Sequence, residues 1–206
     1  MSQIPLFAPA SNSVLVEDAR GRIVYTPDAV PAEVALAWFA ELRDTVPWKT
    51  QRRRMYDRDV DVPRLMAHFD LSPEEGQAPG AVRAAASRVV AATGVPFNSV
   101  GLNFYRDGHD SVAPHNDHLD EIVDGHPIAL LSLGATRRMT IRAKNPPRRA
   151  IHLDLAAGSL LVMSYATQLH YTHGIAKTNE RVGPRISLAF RVKPVRDSAG
   201  QAGVYR

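Results

Sequence analysis

The sequence predicts a mainly β fold with flanking helices, an α+β arrangement, and three observations carry that expectation. From about residue 98 onward, short apolar runs alternate with turns at regular spacing, the pattern of a sandwich or barrel. Ahead of them stand two helix-period stretches closed by Pro or Gly. The 206 residues fit one domain with a substantial core, and they contain no internal repeat or low-complexity tract. Together these suggest two packed sheets of a jelly roll, with N-terminal helices buttressing one side.

The elements follow in order. Residues 13–16 and 22–25 read as two short strands around a turn at Gly21, and Thr26-Pro27-Asp28 then punctuates the chain. A helix is expected over 31–43, where Val34, Leu36, Ala37, Phe39 and Leu42 recur at mostly helical spacing and Pro47 helps to stop it. A second is expected over 79–92, ended by Gly94 and Pro96. Strands are expected over 100–105, 128–133, 139–141, 151–155, 160–163 and 186–192, with a loop at Asn145-Pro146-Pro147. The single domain thus divides into an N-terminal region (1–97), a jelly-roll core (98–192) and a polar tail (193–206).

Composition narrows the function classes. Without cysteine the chain has no disulfide scaffold, thiolate zinc site or cysteine nucleophile, and it suits a reducing cytoplasm. The start lacks the pattern of a secretory signal, and no apolar run approaches the ~18 residues of a membrane span, so no membrane partner is expected. The formal charge is +4. Basic residues gather in two clusters: Lys49, Arg52, Arg53, Arg54, Arg58 and Arg64, then Arg137, Arg138, Arg142, Lys144, Arg148 and Arg149. Such clusters are either solvated faces or contacts to a phosphate backbone.

His115-Asn116-Asp117 is an H-x-D element. On a strand, residues i and i+2 share a face, so this imidazole and carboxylate can grip one metal from one side, and a distant histidine can add the third ligand. Two histidines and one carboxylate form the facial triad of non-haem Fe(II) oxygenases. Two strands add to the pattern. Asn103 and Tyr105 share a face of 100–105. On the strand around 186–192, Arg185, Ser187, Ala189 and Arg191 point one way, and Ile186, Leu188 and Phe190 the other. Buried guanidiniums need partners. They could be neighbouring acids, solvent at the strand ends, or one small dicarboxylate bridging a separation of about 20 Å with long side chains.

The ordered series Asn103-x-Tyr105, His115-x-Asp117, Ser132-Leu133-Gly134, His173 and Arg185 to Arg191 resembles the AlkB family of Fe(II)- and 2-oxoglutarate-dependent dioxygenases, nearest the branch that repairs alkylated DNA. The resemblance runs from about Pro63 to Val192 and implies a double-stranded β-helix. By position, it implies that His115, Asp117 and His173 hold Fe(II). Asn103, Tyr105, Arg185, Ser187 and Arg191 would contact 2-oxoglutarate, with O2 as cosubstrate. His173 is preferred to His170 because the family ligand follows an aromatic by two, and Tyr171 is that aromatic.

The implied reaction hydroxylates an alkyl group on a base nitrogen, converts 2-oxoglutarate to succinate and releases formaldehyde. The implied partner is alkylated DNA or RNA presenting a flipped or single-stranded base, bound by a monomer. Phe69, Trp48 and Tyr56 are candidates to stack on the base, and Arg137 and Arg138 to hold phosphates. Three departures weaken the substrate assignment. Ser187 stands where the family often has Asn, the acid after H-x-D is displaced to Asp120-Glu121, and residues 71–80 carry no aromatic. An oxygenase of the same chemistry acting on a protein side chain or a small metabolite is the alternative.

Overall fold

In the computed structural model, residues 12–55, 58–71 and 78–194 are described. Two antiparallel strands open the chain, β1 (Ser13–Asp18) and β2 (Gly21–Thr26), followed by helix α1 (Ala32–Thr45). Strands β3 (Lys49–Met55) and β4 (Arg58–Asp70) come next, then helix α2 (Gly80–Thr93). The rest comprises β5 (Ser99–Tyr105), β6 (Val112–His115), β7 (Ile128–Gly134), β8 (Arg137–Ala143), β9 (Ala150–Leu155) and β10 (Leu160–Met163). Helix α3 (Tyr165–His170), β11 (Tyr171–Ile175) and β12 (Arg185–Arg191) complete it.

The strands form two sheets, as the sequence predicts. The major sheet runs β1-β2-β10-β7-β12-β5-β4-β3 and the minor sheet β6-β11-β8-β9. Each central strand of the major sheet buries both faces, which explains its nearly continuous apolar run. Ile186, Leu188 and Phe190 of β12, with Val100 and Leu102 of β5 and Leu131 and Leu133 of β7, pack on Phe39 and Leu42 of α1 and Val82, Ala85 and Val89 of α2. The opposite faces meet the minor sheet, where Tyr105, Leu130 and Ala189 pack with Met139, Ile141 and Ile175. The helices therefore cover one side of the major sheet, and the gap between the sheets lies on the other.

Local chemistry sets the helix ends. Pro31 and Pro79 occupy the N-cap positions of α1 and α2 without a side-chain cap. The Glu41 carboxylate of α1 accepts the Ala81 N–H at 2.8 Å, satisfying one free donor in the first turn of α2. Gly94 ends α2 in the left-handed region at φ 70°.

The β3–β4 hairpin, α3 and β11 are additions to the sequence reading. The first of these carries the whole of the first basic cluster. Its charged stretch lacks the alternating apolar pattern that marks a strand, and β3 forms the sheet's edge, where charge is tolerated.

Candidate metal and cosubstrate site

Strand pairing brings the two histidines together from 58 positions apart. β6 pairs with β11 so that His115 faces His173 directly, and their ring centroids lie 4.5 Å apart. The Nε2 atoms of His115 and His173 stand 3.7 and 4.0 Å from Asp117 Oδ1. One ligand atom from each of the three residues falls within 4.8 Å of the others, close enough to share one ion. Gly174 permits the approach, since a Cβ there would lie 2.9 Å from Pro114 N and Val112 O.

Surrounding groups aim these ligands. His115 Nδ1 donates to the Ala113 carbonyl at 2.9 Å, because a carbonyl can only accept, and this turns Nε2 toward the centre. The Asp117 N–H donates to Gln168 Oε1 at 3.0 Å. Arg191 donates to Asp117 Oδ2 from Nε at 2.7 Å and approaches the same oxygen with Nη2 at 2.6 Å. Oδ2 is thereby occupied and Oδ1 faces the histidines. Burial would raise the Asp117 carboxyl, but the Arg191 charge, the two imidazoles and the Arg191 hydrogen bond outweigh it, so its pKa lies below the ordinary value. Burial, and next the nearby His115, push His173 down to about 4. Both groups are thus in their metal-binding protonation states at neutral pH.

One expectation is corrected here. The H-x-D element does not lie on one strand: β6 ends at His115. Asp117 is held beyond it by Gln168 and Arg191 rather than by strand alternation. The two β12 arginines point to the same side of the sheet, and Arg191 pairs with Asp117.

Arg185 is different. It is 1% exposed, and Nη2 donates to Ser132 Oγ at 2.9 Å. Its Nε and Nη1 have no hydrogen-bond partner. A buried guanidinium with two unused donors is costly unless an anion accepts them, and carboxylate oxygens are suitable acceptors. Burial lowers its pKa, and the adjacent Tyr105 opposes this. Arg185 lies opposite Tyr105 in the β12–β5 register, and Ser187 lies opposite Asn103.

Tyr105, Asn103, Ser187 and Arg191 line a cavity of about 50 Å³ together with His115, Asp117 and His173. Four of the five expected cosubstrate residues therefore converge beside the metal ligands, and the fifth, Arg185, lies opposite Tyr105 with two free donors of the kind a carboxylate accepts. Arg64 is a residue the sequence reading missed here. Its Nε donates to Asn103 Oδ1 at 2.6 Å, and it lines the same cavity. Period-two reading of β4 could have found it, since Arg64, Met66 and His68 alternate with Leu65, Ala67 and Phe69. Gln168 carried no such sequence signal.

The expected substrate residues fare less well. Phe69 pairs in register with Val100, and it packs with Trp48 in the cluster beneath the helices. The Trp48 ring lies 5.1 Å from Phe104, and its indole N–H donates to the Arg43 carbonyl. Both rings thus sit on the side of the major sheet away from the metal ligands, which corrects their assignment to base stacking. Tyr56 lies outside the described residues.

Arg137 is 4% exposed and donates to the carbonyls of Asp107, Asp110 and Ala176, so it is not a surface phosphate ligand as expected. Arg138 is exposed and paired with Asp154 at 2.7 Å. Between these regions, a groove of about 590 Å³ reaches His115, lined among others by Pro63, Arg64, Val112, Pro114, Arg142, Ile175 and Lys177. Arg64, Val112, His115 and Ile175 line both this groove and the metal-side cavity.

A jelly roll that holds two histidines and a carboxylate in its mouth, beside a buried arginine suited to a carboxylate, defines a mononuclear metal oxygenase of the 2-oxoglutarate type. The family model described as the 2OG-Fe(II) oxygenase superfamily matches residues 22–191, and the chain belongs to that family. Among its relatives, the human DNA oxidative demethylase ALKBH2 is 40% identical over 106 residues, covering 48% of this chain and 41% of that protein. Mouse alpha-ketoglutarate-dependent dioxygenase alkB homolog 3 is 31% identical over 188 residues, covering 82% of this chain and 65% of that protein. These relatives bear out the AlkB resemblance, although less than two thirds of either one's length is matched.

Two solved structures share the fold at 14% identity. OsALKBH1 has a TM-score of 0.59, with 87% of this chain and all of that one covered. A Pseudomonas putida prolyl-4-hydroxylase has a TM-score of 0.55, with 83% and 92% covered.

Proposed function

We propose that this protein is an oxidative demethylase of N-alkylated bases in nucleic acid, with His115, Asp117 and His173 as the residues that hold Fe(II). Arg185, with Tyr105, Asn103 and Ser187, is assigned to 2-oxoglutarate. When bound, iron with 2-oxoglutarate and O2 supplies the two-electron oxidation of an alkyl C–H, yielding succinate, carbon dioxide and, from an N-methyl group, formaldehyde. The chain's own residues do the rest. Arg191 keeps Asp117 ionised and turned toward the histidines, and Ala113 holds the His115 tautomer. The packed faces of Leu130, Met139 and Ile175 restrict water at the inner side.

The observation that carries the substrate reading is the groove that reaches His115. Its volume lies within the ~300–1,000 Å³ range of ligand sites, its walls are apolar at Pro63, Val112 and Pro114, and Arg142 and Lys177 are exposed on it. That combination suits a base with its phosphates, and the names of the relatives point the same way. A paired base would have to leave its stack to enter, so a single strand or a flipped nucleotide is the proposed form. The cysteine-free chain is proposed to work as a cytoplasmic monomer. Among the described residues no helix is long and apolar enough to cross a membrane.

One observation favours a second reading. Trp48 and Phe69 turn away from the metal side, so neither offers a stacking surface there. The same oxidation applied to a protein side chain or a small metabolite would not require one.

Succinate formation with iron added and withheld tests the chemistry. Formaldehyde release from methylated oligonucleotide, free methylated nucleoside and methyl-lysine peptide tests the substrate. Release from the oligonucleotide above the other two is expected. Preference for the peptide or the nucleoside would overturn the nucleic-acid reading while leaving the chemistry standing.

A further inference from the structure

A second buried arginine stands at the cosubstrate end. Along β8, Arg137, Met139, Ile141 and Ala143 are buried while Arg138 and Arg142 are exposed, so Arg137 is the first inward residue of that strand. Its Nη1 donates to Asp107 O at 2.8 Å, and Nη2 to Asp110 O at 3.0 Å and Ala176 O at 2.8 Å. One guanidinium from the minor sheet thus ties the β5–β6 turn to the segment just past β11. Its central carbon also lies 5.8 Å from the Tyr105 ring centroid, and that of Arg185 lies 5.2 Å from the same centroid. Tyr105 is held between charges contributed by the two sheets.

The charge balance here is unusual. All three Arg137 hydrogen bonds go to neutral carbonyls. The Asp110 carboxylate, which feels the Arg137 charge only through space, is engaged by the Arg106 N–H, Nε and Nη2 at 2.9, 2.8 and 2.9 Å. Among the described residues no carboxylate hydrogen-bonds to Arg137 or Arg185. Two buried cations beside one ring oppose each other. An anionic ligand at Arg185 reverses the sign of that interaction.

We propose that Arg137 is a positioning residue for the far carboxylate of 2-oxoglutarate: it fixes Tyr105 and the Asp107–Asp110 turn, and its charge reinforces the end of the slot where Arg185 presents its free donors. This rests on the cosubstrate assignment and is independent of which substrate is oxidised.

The test is equilibrium binding to Mn(II)-loaded protein in the absence of nucleic acid. The ligands are 2-oxoglutarate and 2-oxobutyrate, which has the same keto-acid end but no far carboxylate. In Arg137→Met, 2-oxoglutarate should bind about tenfold or more weakly, while 2-oxobutyrate and Mn(II) stay within twofold of the parent. A clamp with only a structural role would weaken all three together, and that result overturns the proposal, as does unchanged 2-oxoglutarate affinity.

If Arg137→Met does not fold, Arg137→Lys decides the question. Lysine keeps the charge but cannot fork to three carbonyls. It should weaken 2-oxoglutarate binding about threefold without touching 2-oxobutyrate. Parental affinity for both ligands in folded Arg137→Lys also overturns the proposal.

Discussion

The two ends of β12 carry the same residue to opposite effect. At one end all three nitrogens of Arg191 are engaged: Nε and Nη2 by Asp117, and Nη1 by the Ala189 carbonyl. At the other, six residues away on the same face, Arg185 is more deeply buried and keeps two donors unused. The Arg191 end is partnered within the protein and shapes the metal ligands. The Arg185 end is complete only with an anion. A site can therefore contain one arginine that supports the fold of its own ligands and another that the fold leaves with unused donors until an anion binds.

The strongest way to break this comparison is to remove a metal ligand. His115→Ala should abolish metal-dependent succinate formation, by more than the 10–100-fold that outer partners carry, with the melting transition retained. Parental turnover in the folded variant would mean that the triad is misassigned.

Acid should act on the Asp117 end. The His173 pKa is depressed in the fold to about 4, so between about pH 6.5 and 4 the unfolded chain binds a proton that the native state refuses. Stability of the metal-free protein should then fall as pH falls through that window, by roughly 3 kcal/mol in total. Asp117, also depressed, contributes stability that is present above its unfolded pKa and lost at still lower pH. Denaturant titrations across pH should show the His173 limb, and His173→Gln should flatten it.

Exchanging the arginines one at a time sharpens the contrast. Arg191→Met should weaken metal binding about 10–100-fold and destabilise the fold, because it strands a buried carboxylate. Arg185→Met should leave metal affinity unchanged and weaken 2-oxoglutarate. In the absence of that ligand it should raise stability by about 1–3 kcal/mol, since it removes unsatisfied buried donors. Titration calorimetry with Mn(II), followed by thermal melts, separates the two, and equal effects on both would dissolve the distinction.

The smallest expected effect lies outside this pair. Arg142→Ala and Lys177→Ala should each reduce the salt slope of single-stranded oligonucleotide binding by about 0.7, without changing 2-oxoglutarate affinity. An unchanged slope would make that rim a solvated face.

Much of this was legible in the sequence because it depends on short-range periodicity. The apolar alternation of β12 placed Arg185, Ser187, Ala189 and Arg191 on one face, and the structure agrees. The AlkB resemblance, rather than periodicity, favours His173 over His170, and His173 is the histidine that joins the cluster. Alternation in β4 would likewise have moved Phe69 to the helix side, but a dense run of arginines obscured that strand. The assignment of Arg137 to phosphate failed because charge in a sequence says nothing about burial.

By itself the sequence determined which residues share a strand face and which chemistry they bring, since a strand repeats every two residues and a helix every 3.6. Only the tertiary structure decided which partners those residues meet. The β6–β11 register set His115 against His173, packing of the two sheets carried Arg137 to Tyr105, and the irregular segment beyond β6 delivered Asp117 to Arg191 rather than to strand geometry. Such long-range contacts depend on how separate segments dock, and no local spacing encodes that.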